Sequence, residues 1–156
     1  MKQILNRYNG DVILEVQGNS LSGANLSGSN LTKADLSGSD LRGAELSGSD
    51  LTGADLRNAN LSGWELTDAD LSGANLCGTD LSGAKLSHAN LSGCNLTDAE
   101  LSGANLRGTD LTDAELSGAN LCGTELSDAE LSGANLTGAI LNGATINLGN
   151  RVVTLP

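Results

Sequence analysis

The chain has 156 residues, a formal net charge of −11, one tryptophan, one tyrosine and no phenylalanine. It carries no basic patch, which argues against direct binding of nucleic acid or an anionic membrane surface. No apolar run is long enough to span a bilayer and the N-terminus has no signal-peptide h-region, so a single-domain, soluble cytoplasmic protein is expected.

The first 18 residues stand apart from the rest. Ile4-Leu5-Asn6-Arg7-Tyr8 and Val12-Ile13-Leu14-Glu15-Val16 flank Asn9-Gly10, which predicts a β-hairpin over residues 3–17 with a two-residue turn. Residues 1–18 are therefore assigned as an N-terminal cap on the remainder of the chain.

Across residues 19–148 one pattern dominates. Leucine occupies every fifth position from Leu21 to Leu141, and Ile146 continues the register. On an α-helix a five-residue step turns about 140°, which scatters these leucines around every face. In a straight strand, residues five apart point to opposite faces. The pattern closes only if the chain turns a corner once per unit, each side being a short extended segment with one leucine pointing inward. Four such sides make a square coil of twenty residues.

Each position of the unit then has a reason. The residue two before the leucine shares its inward face, and of the 26 such positions 17 are alanine, as a narrow interior requires. The residue just before the leucine is nearly always Asn, Asp or Glu, and the one after is usually Ser, Thr or Arg; these face outward or cap the turn. Two after the leucine, 18 units carry glycine, as expected where a tight turn needs positive φ. Asn58, Asp68, Asp98, Asp113 and Asp128 tolerate that geometry next best, and Lys33 and His88 fit it least. The units stack into about six and a half coils, a rod of roughly 30 Å at a strand spacing of ~4.8 Å.

Asn147 to Pro156 leave the register, and residues 149–156 are assigned as a C-terminal tail or cap. Arg151-Val152-Val153-Thr154-Leu155 predicts a short final strand, with no helix. An open strand edge and an apolar cross-section at this end favour an end-to-end homodimer.

The chain resembles the pentapeptide-repeat family, whose signature A(D/N)LXX stands here as Ala34-Asp35-Leu36, Ala54-Asp55-Leu56, Ala74-Asn75-Leu76 and Ala134-Asn135-Leu136. The resemblance covers about residues 19–148. It implies an all-β, right-handed quadrilateral parallel β-helix, a pentapeptide-repeat solenoid with the N-terminal β-hairpin as its cap. The repeats are also unusually uniform, with LSGAN beginning at Leu21, Leu71, Leu101, Leu116 and Leu131, which fits a consensus-like array as well as a recently duplicated natural one.

Little in the chain points to catalysis. A rod filled by Leu and Ala offers no pocket in which acid, base and nucleophile could meet. The only histidine, His88, sits at a corner without a second His or Cys to make a metal site. Cys94 replaces an inward alanine, whereas Cys77 and Cys122 replace outward Ser or Thr, so no disulfide is expected. Trp64 occupies an inward position that suits alanine; either the coil widens there or the indole reaches outward. No catalytic residue, cofactor or metal is assigned.

The acidic surface is the remaining candidate. Folding the sequence into coils puts Asp50, Asp70, Asp110, Asp113 and Glu130 on one side, opposed only by Lys33, and this is the most acidic side. The other sides mix acids with Lys85 and Arg107, with Arg42, or with Arg57. A noncatalytic structural or protein-interaction module with an unknown protein partner is the first expectation. Some relatives within the resembled family mimic double-stranded DNA and bind DNA gyrase or topoisomerase IV. That resemblance implies, as an alternative, a regulator of a type II topoisomerase contacted through those five residues.

Overall fold

The computed structural model describes residues 1–148 and 151–156. Its strands are β1 (Lys2–Asn6), β2 (Val12–Val16), β3 (Ala34–Asp35), β4 (Thr145–Leu148) and β5 (Arg151–Thr154). Between β3 and β4 the chain is a succession of single-residue parallel bridges, each joining residues twenty apart, from Asp35↔Asp55 to Glu125↔Thr145. The coil is thus a square of twenty residues, and the fold is an all-β quadrilateral helix. Among the described residues no helix is long and apolar enough to cross a membrane.

The corners follow from one hydrogen bond. In the first unit the Ala24 amide donates to the Leu21 carbonyl at 3.0 Å, closing a four-residue turn whose third residue, Gly23, has φ +69°. This is a type II turn, which requires positive φ at that place. All seven described residues that replace glycine there, Lys33, Asn58, Asp68, His88, Asp98, Asp113 and Asp128, adopt φ between 55° and 61°. Lys33 and His88, the least suited by type, therefore obey the corner like the others.

The polar residue before each leucine caps the same corner. Every Asn or Asp at that place accepts the amide of the residue two further on, as Asn25 does from Ser27 at 3.1 Å and Asp110 from Thr112 at 2.9 Å. No such bond forms at Glu45, Glu65, Glu100, Glu115, Glu125 or Glu130, because the extra methylene carries the carboxylate past the amide. These are Asx turns, which satisfy a main-chain donor that the ladder leaves free.

Inside the coil the leucines from Leu21 to Leu126 are buried, with most of their alanines. The buried polar residues at the inward position find a main-chain partner. The Thr79, Cys94 and Thr109 side chains donate to the carbonyls of Leu56, Leu71 and Leu86 in the preceding coil, at 2.7, 2.8 and 2.8 Å. Each carbonyl already accepts a corner amide, so the inward group takes its second lone pair.

Trp64 points inward and is buried, its Nε1–H donating to the Leu41 carbonyl at 2.6 Å. The coils yield around it. Elsewhere along the middle of the rod each leucine amide bonds the next coil, as Leu66 does to Lys85 and Leu26 to Glu45. No hydrogen bond joins the amides of Gly43, Leu46 and Gly48 to the carbonyls of Ser62, Glu65 and Thr67, nor the Glu65 amide to Ala44. The bridge Glu45↔Glu65 is missing from an otherwise continuous ladder. An indole in an alanine-sized place thus parts two neighbouring coils on one side.

At the N-terminus β1 pairs antiparallel with β2 and, on its other edge, with β3 through Leu5↔Asp35 and Asn6↔Ala34. Ile4 is buried against the first coil. The expected two-residue turn at Asn9-Gly10 is corrected. The loop spans Arg7 to Gly10, closed by the Asn6 amide on the Asp11 carbonyl at 2.8 Å and the Gly10 amide on the Asn6 carbonyl at 3.0 Å. Two Asx turns favour the longer loop: Asn6 accepts from the Tyr8 amide and Asn9 from the Asp11 amide. A bulge between Ile4 and Leu5 absorbs the change of register.

At the other end β4 and β5 form an antiparallel pair, Thr145↔Thr154 to Leu148↔Arg151. The expected strand near Arg151 is present, but its partner lies within the last repeat unit. Leu155 then exchanges main-chain hydrogen bonds with Gly143 and Ala144 at 2.8 Å. Leu131, Leu136 and Leu141 in the final coil are only partly buried, unlike Leu21, Leu26, Leu31 and Leu36 in the first.

Candidate acidic interface

Four of the five acidic residues singled out in the sequence fall in one ladder. The bridges run Asn30↔Asp50, Asp50↔Asp70, Asp70↔Asn90, Asn90↔Asp110 and Asp110↔Glu130, so one side chain emerges per coil, with neutral Asn90 between two aspartates. Asp50, Asp70 and Asp110 are half-buried and cap their own corners, accepting the amides of Thr52, Ser72 and Thr112 at 2.9 Å. The Thr52 hydroxyl and amide hold the Asp50 carboxyl below its ordinary range, and Thr112 does the same for Asp110.

Asp113 and Glu130 differ from these three. Glu130 is exposed and caps nothing. Asp113 stands at a corner with φ 57°, and its carboxylate lies against Gly133 of the next coil. It borders the ladder rather than continuing it.

Lys33 is the one cation on this side, and it forms no ion pair among the described residues. Arg42 pairs with Asp40 at 2.8 Å, Arg57 with Asp55 at 2.7 Å, Lys85 with Glu65 at 2.5 Å and Arg107 with Asp128 at 3.6 Å. Arg42 holds the Asp40 carboxyl down to about 2. Each of the other three sides thus has part of its acid neutralised. Among the described residues no ion pair forms on the side of Asp50, Asp70 and Asp110. Sequence reasoning counted the charges but could not see this pairing.

Other candidate chemistry disperses. Cys94 is buried and burial pushes its thiol up to about 12, which leaves it protonated and unreactive. Cys77 and Cys122 are half-buried on different sides. His88 lies over Gly108, its Nδ1 2.6 Å from where a Cβ would stand. Among the described residues no group of three or more His, Cys, Asp and Glu converges on a point.

Comparison with known proteins agrees with this architecture. The family "Pentapeptide repeats" matches in eight copies over residues 20–58, 44–83, 78–113 and 114–147. No protein of curated function matches the sequence. Among solved structures, a trypsin-treated form of QnrB1, a plasmid-mediated fluoroquinolone resistance protein, is similar with a TM-score of 0.59 and 22% identity over 80% of this chain and 65% of that one. HetL, a pentapeptide-repeat protein involved in heterocyst differentiation regulation in the cyanobacterium Nostoc sp. strain PCC 7120, is 36% identical over 82% of this chain and 64% of its own, with a TM-score of 0.32. The chain therefore spans just under two thirds of the length of both. With the family matched from residue 20 to residue 147 and the square coil in view, the chain belongs to the pentapeptide-repeat family and folds as its right-handed quadrilateral β-helix.

Proposed function

We propose that the protein is a noncatalytic interaction module that presents the Asp50, Asp70, Asp110, Asp113 and Glu130 side to a basic surface on a protein partner. The observation that carries this reading is the absence, among the described residues, of any ion pair on that side, whose one cation is Lys33, while every other side spends its cations on its own acids. Uncompensated carboxylates at the ~4.8 Å coil spacing project a field that steers a cationic partner and sets its register.

A type II topoisomerase is the more specific reading. A straight acidic ladder on a narrow rod resembles one strand of the phosphate backbone, and the DNA-binding surface of such an enzyme has the complementary charge. The N-terminal hairpin, residues 1–18, serves in this reading as the cap of the 19–148 solenoid. The partly buried Leu131, Leu136 and Leu141 support a homodimer joined through the C-terminal end, with residues 149–156 at its margin.

The test is a DNA gyrase supercoiling assay at moderate salt. The control carries Asp50→Asn, Asp70→Asn, Asp110→Asn, Asp113→Asn and Glu130→Gln. Asparagine caps these corners in the same protein, so the variant loses charge and keeps its turns. Inhibition by the parent that is lost in the variant supports the reading. Inhibition unchanged in the variant rejects this side, and no inhibition by either rejects the topoisomerase as partner.

A further inference from the structure

The sixteen asparagines of the chain are sorted chemically by the residue that follows each. Ten precede leucine, and only Asn9 and Asn142 precede glycine. An asparagine side chain is attacked by the main-chain nitrogen of the next residue, and a Cβ on that residue shields the nitrogen. Glycine has none. Asn9-Gly10 and Asn142-Gly143 are therefore the two places where the chain is chemically most open to attack on itself.

The fold treats the two pairs differently. In the hairpin loop the Asn9 carboxamide is held from both sides, its Oδ1 accepting the Asp11 amide at 3.1 Å and its Nδ2 donating to the Asp11 carboxylate at 2.7 Å. The Gly10 amide is engaged as well, donating to the Asn6 carbonyl at 3.0 Å. Asn142 stands exposed at the last corner of the coil, and its carboxamide makes no hydrogen bond among the described residues. The Gly143 amide is restrained by one bond, to the Leu155 carbonyl at 2.8 Å. Leu155 follows β5, an outermost strand whose one strand partner among the described residues is β4. Hydrogen bonds at such an edge open more often than those inside a continuous ladder.

We infer that Asn142 is a site of spontaneous deamidation that loosens the C-terminal end of the rod. When the corner opens and Leu155 lifts, the Gly143 nitrogen gives its proton to solvent and attacks the Asn142 Cγ. The new N–Cγ bond closes a succinimide ring, and the Cγ–Nδ2 bond breaks to release ammonia. Water then opens the ring at either carbonyl and leaves aspartate or isoaspartate. Isoaspartate routes the main chain through the former side chain and so adds a methylene to the corner. A corner of that length no longer holds the Ala144 amide on the Leu141 carbonyl, now 2.9 Å, or the Gly143 amide on Leu155. β5 then loses its anchor on the last coil. Asn142 follows Ile140 and Asn120 on their side of the coil, away from Asp50 and Asp70, so its fate is separate from that of the acidic ladder.

The experiment is peptide mapping by mass spectrometry on the whole chain, held at mildly alkaline pH and sampled over days. Conversion appears as the amide-to-acid mass gain, and isoaspartate is identified by labelling with an isoaspartyl methyltransferase. Asn142 should convert several-fold faster than Asn9, and the asparagines before leucine should stay intact. Asn142→Ser, which places the commonest residue of this position there, should abolish the gain. Leu155→Gly, which weakens the hold on the corner, should speed conversion at Asn142 several-fold and leave Asn9 unchanged. In the converted chain the Ala144 and Leu155 amides should exchange hydrogen faster, with the central coils unaltered. Conversion of Asn9 ahead of Asn142, or an Asn142 that stays unmodified, would overturn the proposal. So would an Asn142 rate that Leu155→Gly does not change, because the restraint would then lie elsewhere.

Discussion

Arg7, in the hairpin loop, reaches Asp55, in the second coil, with Nη2 3.7 Å from Oδ2, while its Nη1 donates to the Gly53 carbonyl at 3.1 Å. Asp55 is the one buried charged residue among those described. Arg57 completes its shell with Nη2 at 2.7 Å from Oδ2 and Nε at 2.8 Å from Oδ1. Arg7 thus fastens the hairpin, through the Gly53 carbonyl and the Asp55 carboxylate, to a coil beyond the one on which β1 lies.

Arg7→Ala should therefore loosen the hairpin specifically. Loss of charge-assisted bonds costs about 1–3 kcal/mol, and the effect should concentrate in faster exchange of the β1 and β2 amides, with the central coils unaffected. Uniform acceleration along the rod would mean that Arg7 does not act through the hairpin.

The same carboxylate gives a pH dependence. Arg57 first, then the Arg57 amide and Arg7, hold Asp55 below its ordinary value of 3.8. A carboxyl lowered in the folded state binds fewer protons there than in the unfolded chain. Its contribution is complete above the unfolded pKa and disappears as pH falls through the folded one. Thermal unfolding from pH 6 to pH 2 should show the midpoint falling below about pH 4, with a shallower fall in Asp55→Asn. Parallel curves would remove Asp55 from the account.

Much of this was legible in the sequence because the repeat is geometrical. Positions twenty apart share a side, so Asp50, Asp70, Asp110 and Glu130 could be placed together from numbering alone. The Arg7 contact could not be, since Arg7 and Gly53 are 46 residues apart and meet only through the docking of a hairpin that has no repeat register. The Trp64 gap was equally hidden: the size conflict is plain in the sequence, but whether indole or ladder yields depends on the spacing between coils. The hydroxyl and thiol bonds of Thr79, Cys94 and Thr109 could have been sought, since a polar group at an inward place must find a carbonyl.

The Asx corners separate residues that a charge count treats alike. Asn95→Gln removes the bond from the Thr97 amide, 3.0 Å in the native chain, and should cost about 0.5–1.5 kcal/mol. Glu125→Asn adds a bond to the Ser127 amide and should stabilise by a similar amount. Denaturant unfolding of the two variants checks the pair; equal and small effects would show that the corner bonds count for little.

Corner glycines should divide into two classes. Gly93 has nothing within 4 Å of its missing Cβ, whereas at Gly108 the His88 ring lies 2.6 Å from that position. Gly93→Ala should cost about 1 kcal/mol from backbone conformation alone, and Gly108→Ala should cost more, because His88 must move as well. Replacing His88 by glycine in the Gly108→Ala background should bring the alanine cost back to the Gly93 value. A double-mutant cycle measures that coupling directly.

Trp64→Ala should behave unlike an ordinary large-to-small core substitution. Truncating a buried tryptophan typically costs about 3–5 kcal/mol, because the surroundings cannot close on the cavity. Here alanine is the residue that the same place carries in most units, and the two coils can return to the spacing of their neighbours. Four inter-coil hydrogen bonds would re-form, at about 1 kcal/mol each, which offsets most of the lost indole burial. The expected change in unfolding free energy is therefore within about 1 kcal/mol of zero, with newly protected amides at Gly43, Leu46, Gly48 and Glu65. A loss near the ordinary value, with those amides still exchanging fast, would show that the parted coils are set by something other than the indole.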